Sequence, residues 1–275
     1  MSTIKSVTIA GNLEKKSGRK IIGYVIETFR KNGFDVNTLN PIKYDSVQVL
    51  NSEAVNQSRT DLLCVLGGDG TIIGIVREIA GQVPILGINV GSKGVLTEIY
   101  PDEVVLAIDA MKRNRFHIQN RILLSVDIKG SSEEQRILNE VLFYRSSMTK
   151  LPTFSVVQKD FSLKDRMDGL IVSTPTGSTG HSFSYGGPIV DETLEVILLN
   201  LIGSTQRLPP IVLQPWPIKV TCSDKAYLIV DGQLKYEVPK GETVIVDKSR
   251  KAVKLMRIFS GRLAQMRKLG FDVVG

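Results

Sequence analysis

The sequence predicts two dissimilar parts, an α/β N-terminal domain with a largely parallel sheet and a mainly antiparallel β C-terminal domain. Three observations predict them. Over residues 7–111 short apolar runs alternate with helical apolar spacing, the pattern of strands joined by crossover helices. From Phe116 onward the runs become short and β-like, separated mostly by Gly, Pro, Asp or Ser. The last stretch carries Ile258, Phe259, Leu263 and Met266 at helical spacing, a closing helix expected to pack back on the first domain. The expected boundaries are 1–114 together with 256–275 for the α/β part, and 115–255 for the β part.

Residues 7–10 read as a first short strand. Ile21, Ile22, Val25, Ile26 and Phe29 share one helical face that stops at Lys31-Asn32-Gly33, and Phe34 and Val36 alternate as a second strand. Leu62 to Leu66 is a continuous apolar run, as expected of a strand buried on both faces. It empties into Gly67-Gly68-Asp69-Gly70-Thr71, after which Ile72, Ile73, Val76 and Ile79 lie on one side of a helix. Residues 83–91 form another strand ending in a glycine turn. Pro101 opens a helix with Val104, Val105, Ile108 and Met111 on one face, the expected bridge between the domains. The β-like runs then follow at 123–128, 137–145, 154–157, 170–173, 218–221, 227–230, 243–246 and 253–258.

Composition narrows the partners. With 42% hydrophobic and 23% charged residues the 275-residue chain is an ordinary globular sequence able to bury a core. Its net charge of +7 suits an anionic ligand, while 6% aromatics with no interleaved basic run argue against nucleic acid. A nucleotide-sized anion is the expected partner. The basic stretch 248–268, with eight Lys or Arg and no acid, reads as the solvated face of the closing helix. Two cysteines, Cys64 and Cys222, both in apolar runs, cannot build a disulfide framework, and no Cys/His spacing suits zinc. No apolar stretch approaches the roughly 18–20 residues that cross a bilayer, and no signal sequence is read, so the expected location is cytoplasmic.

The chemistry concentrates in a few places. A buried strand ending in a glycine turn at a helix start places backbone N–H groups around an anion, so Gly68, Gly70 and Thr71 are candidate nucleotide contacts. Such glycines permit φ > 0 and close approach of a phosphate. Asp69 at the tip repels phosphate and suits a proton acceptor or a metal contact. Neither the P-loop spacing nor G-x-G-x-x-G is present, and Lys93 reads as a solvated turn residue. In residues 168–181 an apolar strand runs into a loop with five hydroxyl side chains, among them Thr176 and Thr179, which offer donors to phosphate or ribose oxygens. His181 reads as structural or as a stacking ring. Asn139-Glu140 interrupts an apolar β-run, which points either to a turn or to a polar pair awaiting partners.

Taken in order, GGDGT at 67–71, NVGSKGVLTE at 89–98, NE at 139–140, DGLIVSTPTGST at 168–179, GGPIV at 186–190 and DGQ at 231–233 resemble the NAD kinase family. GGDGT alone is shared with lipid kinases; DGLIVSTPTGST is far more specific. The resemblance implies that Asp69 takes the proton from the adenosine-ribose 2′-hydroxyl of NAD, whose oxygen attacks the γ-phosphate of ATP or a terminal phosphate of polyphosphate. It implies Mg²⁺, or another divalent cation, carried on the donor phosphates, with no metal site built by the protein. Asn139 and Glu140 match the pair that holds the dinucleotide, Lys150 and Arg166 match basic or polar contacts, and Asp168 matches a carboxylate at the nicotinamide end. Thr179, Gly180, His181, Ser182, Phe183 and Ser184 match a binding turn, and Gln233 matches the glutamine of DGQ. Gly180 and His181 replace the family's usual Ala-Tyr, and Val95 its usual phenylalanine, which alters the base pocket but not the reaction. The implied partners are NAD, NADP and ATP, without nucleic acid or membrane, in a homodimer or homotetramer.

Two rival functions fit parts of the sequence. A diacylglycerol-type lipid kinase accounts for GGDGT but not for NE, DGLIVSTPTGST or DGQ. A non-catalytic dinucleotide sensor keeps the binding segments, yet has no use for Asp69.

Overall fold

Alternation of strand and helix gives the first unit a parallel sheet. In the computed structural model, which describes residues 4–11, 16–57, 60–79, 83–91, 94–128, 134–259 and 264–271, the elements run in chain order. They begin β1 (Ser6–Gly11), α1 (Lys16–Lys31), β2 (Asp35–Leu39), β3 (Gln48–Leu50), α2 (Ser52–Asn56) and β4 (Leu62–Gly67). They continue α3 (Asp69–Ile79), β5 (Ile85–Asn89), α4 (Val104–Lys112), β6 (His117–Val126), β7 (Gln135–Ile137), β8 (Glu140–Arg145) and β9 (Thr153–Gln158). Then come β10 (Phe161–Arg166), β11 (Gly169–Ser173), α5 (His181–Ser184), β12 (Ile197–Ile202), β13 (Ile211–Leu213) and β14 (Ile218–Cys222). The last are β15 (Ala226–Val230), β16 (Leu234–Val238), β17 (Thr243–Arg257) and α6 (Ala264–Lys268). Two compact units emerge, one of residues 1–120 with 252–275 and one of residues 121–251.

In the first unit the strands lie in the order β17-β5-β4-β1-β2-β3, and every pair along this path is parallel. β4 is buried along its whole length, with Cys64 among the core residues. Ile72, Ile73, Val76 and Ile79 form the buried face of α3, as the spacing predicts. Ile22, Val25, Ile26 and Phe29 of α1 enter the core with Val104, Ile108 and Met111 of α4. Val105, placed on that α4 face by sequence, is 51% exposed, because the buried stripe runs through Ala107 instead. The sheet changes direction between β1 and β4, and ligands of such sheets sit beyond the carboxyl ends of the strands there. Gly11 and Leu66 close that edge so tightly that a Cβ at Gly11 would lie 2.6 Å from the Leu66 carbonyl oxygen.

The second unit is antiparallel. One group of strands runs β10-β9-β14 and on to the first part of β17, and another runs β13-β12-β11-β8-β15-β16. Their shared apolar core includes Phe143, Phe154, Leu170, Val172, Leu199, Val220 and Leu228.

Four sequence expectations are modified. The run 137–145 is broken by a bend at Leu138-Asn139 into β7 and β8. The runs 243–246 and 253–258 belong to one 15-residue strand. That strand also absorbs the basic residues from Lys248 to Arg257, because Val244 and Val246, and again Val253 and Leu255, are buried two residues apart, a strand period. The closing helix is therefore the short α6 among the described residues; Leu263 and Lys93 lie outside them.

Gly87 shows how little room the edge beside β4 leaves. A Cβ there would lie 2.7 Å from Ile72 Cδ1 and 2.8 Å from Thr97 Cα. Gly87→Ala is expected to lower stability by about 1–3 kcal/mol through overpacking, measured by denaturant unfolding.

Candidate active site

Most of the candidate residues form one group in each unit. In the first unit β4 delivers Gly67 and Gly68 to the carboxyl edge, and α3 begins at Asp69. The Gly68 carbonyl accepts from the amides of Thr71 at 3.0 Å and Ile72 at 3.3 Å, starting the helix. Gly67, Gly68 and Gly70 all keep φ out of the left-handed region, so the expected positive φ is not what selects glycine here. Close approach is: a Cβ on Gly67 would lie 2.4 Å from Thr71 Oγ1, whereas Gly68 faces open space.

After β5 the chain turns back along the same edge, with the Glu98 amide donating to the Gly87 carbonyl at 2.8 Å and the Asn89 amide to the Ile99 carbonyl at 2.8 Å. This return brings two amides onto Asp69. Val95 N–H donates to Oδ2 at 2.8 Å and Leu96 N–H donates to Oδ1 at 2.9 Å. Gly94 has no side chain to intrude; a Cβ there would lie 3.0 Å from Asp69 Oδ1. A carboxylate has about four lone-pair positions, so one on each oxygen is used and others stay open on a half-buried side chain. Val95, marked by sequence only as a missing aromatic, contributes its backbone.

In the second unit the bend at Asn139 and the start of β8 are held by a residue that sequence reasoning did not single out as a contact. Asp231 Oδ1 accepts from the amides of Asn139 at 2.8 Å and Glu140 at 3.2 Å, and Oδ2 from Leu138 at 3.1 Å. Asp231 and Gly232 have φ of 50° and 65°, and the Gln233 amide donates to the Val230 carbonyl at 2.9 Å. This is a two-residue hairpin turn of type I′. The Asp-Gly pair between apolar runs signals that turn; its grip on a segment far away in the chain has no sequence signal. Gln233 stands exposed on the turn.

Glu140 is 5% exposed, and its Oε2 is buried with no hydrogen-bond partner among the described residues. Burial, and secondarily the charge of Asp231, push its carboxyl up to about 8, so it is protonated at neutral pH. Beside it runs the hydroxyl loop. Thr174 Oγ1 donates to the Leu138 carbonyl at 2.6 Å, Ser173 Oγ to the Asn139 carbonyl at 3.1 Å, and Ser178 Oγ to the Pro175 carbonyl at 2.7 Å. Ser182 Oγ meets Asn200 Oδ1 at 3.3 Å, and Thr179 Oγ1 meets the Thr176 carbonyl at 3.3 Å. Two of these hydroxyls thus tie the loop to the 138–140 bend and two more bond within the loop itself, and Thr176, Ser178 and Ser182 are buried. A Cβ on Gly177 would lie 2.3 Å from the Asn139 carbonyl oxygen, and one on Gly180 would lie 3.5 Å from Glu140 Oε2. Gly180 thereby leaves the space over the Glu140 carboxyl unfilled. His181 stacks on Tyr185, with ring centroids 5.2 Å apart and planes 9° from parallel, while Phe183 and Ser184 are exposed.

Lys150, Arg166 and Asp168 are not gathered with Glu140. In the β8–β11 ladder Ser173 faces Glu140, whereas the Arg145 amide donates to the Asp168 carbonyl at the other end. The separation along the ladder is about 17 Å at strand rise. Asp168 pairs with Arg145, its Oδ1 lying 2.5 Å from Nε, and Gly203 makes room for it, since a Cβ there would lie 2.3 Å from Asp168 Oδ2. Lys150 is exposed and pairs with Asp224 at 2.9 Å; Arg166 is exposed. Among the described residues no three or more His, Cys, Asp or Glu side chains are clustered as a metal set.

Residues 22–116 match the ATP-NAD kinase N-terminal domain, and residues 138–258 match the ATP-NAD kinase C-terminal domain. The chain is 36% identical over 263 residues to the NAD kinase of Clostridium botulinum (strain Eklund 17B / Type B), covering 92% of this chain and 90% of that protein. It is 34% identical over 267 residues to the NAD kinase of Thermococcus kodakarensis, covering 88% of this chain and 91% of that one. The fold is shared with the yeast NADH kinase complexed with NADH (TM-score 0.84, 21% identity, 100% of this chain and 90% of that one). It is shared also with an NAD kinase from Archaeoglobus fulgidus in complex with ATP (TM-score 0.75, 24% identity, 96% of this chain and 97% of that one). The glycine-turn carboxylate, the Asn-Glu bend and the hydroxyl loop are thus parts of a protein that belongs to the ATP-NAD kinase family.

Proposed function

We propose that the chain is an NAD kinase, transferring a phosphoryl group from ATP, or from polyphosphate, to the 2′-hydroxyl of the adenosine ribose of NAD to give NADP. The observation that carries the mechanism is the Asp69 carboxylate, fixed by the Val95 and Leu96 amides yet half-buried only. A ribose hydroxyl is a weak nucleophile. An Asp69 oxygen accepts its proton as the 2′-oxygen bonds to the γ-phosphorus and the bond to the leaving ADP breaks. The rest of the catalysis is alignment and charge neutralisation. The divalent cation, Mg²⁺ in this reading, enters as part of the donor, carried by its phosphates. Similarity to a solved kinase holding ATP supports that donor, and similarity to one holding NADH makes the reduced dinucleotide a second acceptor to assay.

In the same reading Asn139, Glu140, Thr176, Thr179, Gly180, His181, Ser182, Phe183, Ser184 and Gln233 hold the dinucleotide, with Gly68, Gly70 and Thr71 beside the reacting phosphate. Asp168 serves the nicotinamide end, and Lys150 and Arg166 supply polar or basic contacts. The protonated Glu140 supports its assignment, because it presents both an O–H donor and an acceptor to a nucleoside. Assembly as a homodimer or homotetramer belongs to this reading, and two free, buried cysteines suit a reducing compartment such as the cytoplasm.

Asp69→Asn is expected to keep NAD binding, measured by titration, while NADP formation falls on the order of a hundredfold or more. Unchanged turnover removes Asp69 from the mechanism. Chelation with EDTA is expected to stop NADP formation and added Mg²⁺ to restore it; turnover in EDTA refutes the metal–phosphate donor. Glu140 also predicts a pH effect. Its folded-state value of about 8 lies above the ordinary 4.5, so its stabilising contribution is complete below the lower value and is lost as pH rises through the upper one. Glu140→Gln is therefore expected to gain thermal stability relative to the parent as pH is raised between about 5 and 8. A difference in melting temperature that is flat across that window contradicts the assignment.

A further inference from the structure

Arg257, at the end of β17, is 1% exposed and surrounded by acceptors of the first unit. Its Nε donates to Gln119 Oε1 at 3.1 Å. Its Nη1 donates to the Leu96 carbonyl and to Glu98 Oε2, both at 3.1 Å. The Glu98 side chain is fully buried, and its Oε1 accepts from the amides of Ile258 at 2.9 Å and Phe259 at 2.7 Å. Leu96 is therefore gripped twice. Its carbonyl accepts from Arg257, and its N–H donates to Asp69 Oδ1 at 2.9 Å.

We infer that Arg257 and Glu98 are positioning residues for the reaction, holding the 95–98 segment so that its amides orient the Asp69 carboxylate. The inference rests on Asp69 being the proton acceptor. A buried ion pair is a poor source of stability, since well-packed apolar side chains of equal volume do as well or better. What this pair supplies is geometry. The planar guanidinium fork fixes Gln119, Leu96 and Glu98 in set directions, and Glu98 fixes the chain beyond β17. Arg257 Nη2 is buried without a hydrogen-bond partner among the described residues, so the fork acts through Nε and Nη1. A carboxylate that moves by an ångström loses alignment with the hydroxyl proton, whereas substrate contacts made elsewhere are untouched.

The test uses the full chain with Arg257→Lys and Glu98→Gln, each alone and combined with Asp69→Asn. In each folded single variant kcat is expected to fall about tenfold or more while KM for NAD stays within about twofold, the signature of lost alignment in the transition state. In the Asp69→Asn background the same changes are expected to cost nothing further, because the side chain they orient no longer accepts the proton. Glu98→Gln keeps the shape and an acceptor for the Ile258 and Phe259 amides, so it carries the test where Arg257→Lys fails to fold. Unchanged kcat in the folded single variants overturns the inference, and so do losses that multiply in the double variants. Wild-type turnover of Asp69→Asn overturns the reading of Asp69 itself, and this inference with it.

Discussion

The structure depends on carboxylates that accept from consecutive backbone amides. Asp69 takes the amides of Val95 and Leu96, and Asp231 takes those of Leu138, Asn139 and Glu140. Glu98 takes those of Ile258 and Phe259, and Asp61 those of Lys5 and Ser6. These amides lie outside the regular strands or on a strand's first residue, as with Ser6 of β1 and Glu140 of β8, where main-chain donors need partners. An ionised acceptor makes such bonds shorter and stronger than a neutral one does. Backbone at and between the strand ends is thereby fixed.

The two units use this device differently. In the first, the parallel sheet supplies a carboxyl edge, and the return of the chain after β5 brings amides to a carboxylate that stays partly open. In the second, Asp231 is spent on holding the bend, and the open group is Glu140 next to it, buried and without a hydrogen-bond partner among the described residues at Oε2. The negative charge on Asp231 and burial act in one direction on Glu140, keeping its proton. The carboxylate of the first unit is thus held by two amides with lone-pair positions left open, and the carboxyl of the second retains its proton.

Much of this was legible in the sequence. The buried run Leu62 to Leu66 and the face Ile72, Ile73, Val76, Ile79 give strand and helix by period alone, and they fall where expected. The motifs at 67–71, 139–140 and 168–179 identify the family because their spacing is specific. The rest depends on contacts between segments far apart in the chain. Nothing in Leu96 announces a hydrogen bond to Asp69, and the bend at Asn139 is made by Asp231. The hydroxyls after β11 read as ligand donors, yet most are used to fold their own loop, since polar groups in a buried turn must find partners first. Residues from Lys248 to Arg257 look helical if only the basic residues are counted; the buried Val253 and Leu255, alternating with half-buried Ala252 and Lys254, make them a strand.

Cys64 lies in the middle of β4, fully buried, four residues before Gly68. Burial raises the affinity of its sulfur for the proton and so suppresses the thiolate that reacts with alkylating agents and oxidants. Its chemistry is therefore switched off while the sheet is shut. The rate at which a thiol reagent labels it becomes a clock for opening of the strand that delivers the glycine turn, read at a side chain the sequence already carries.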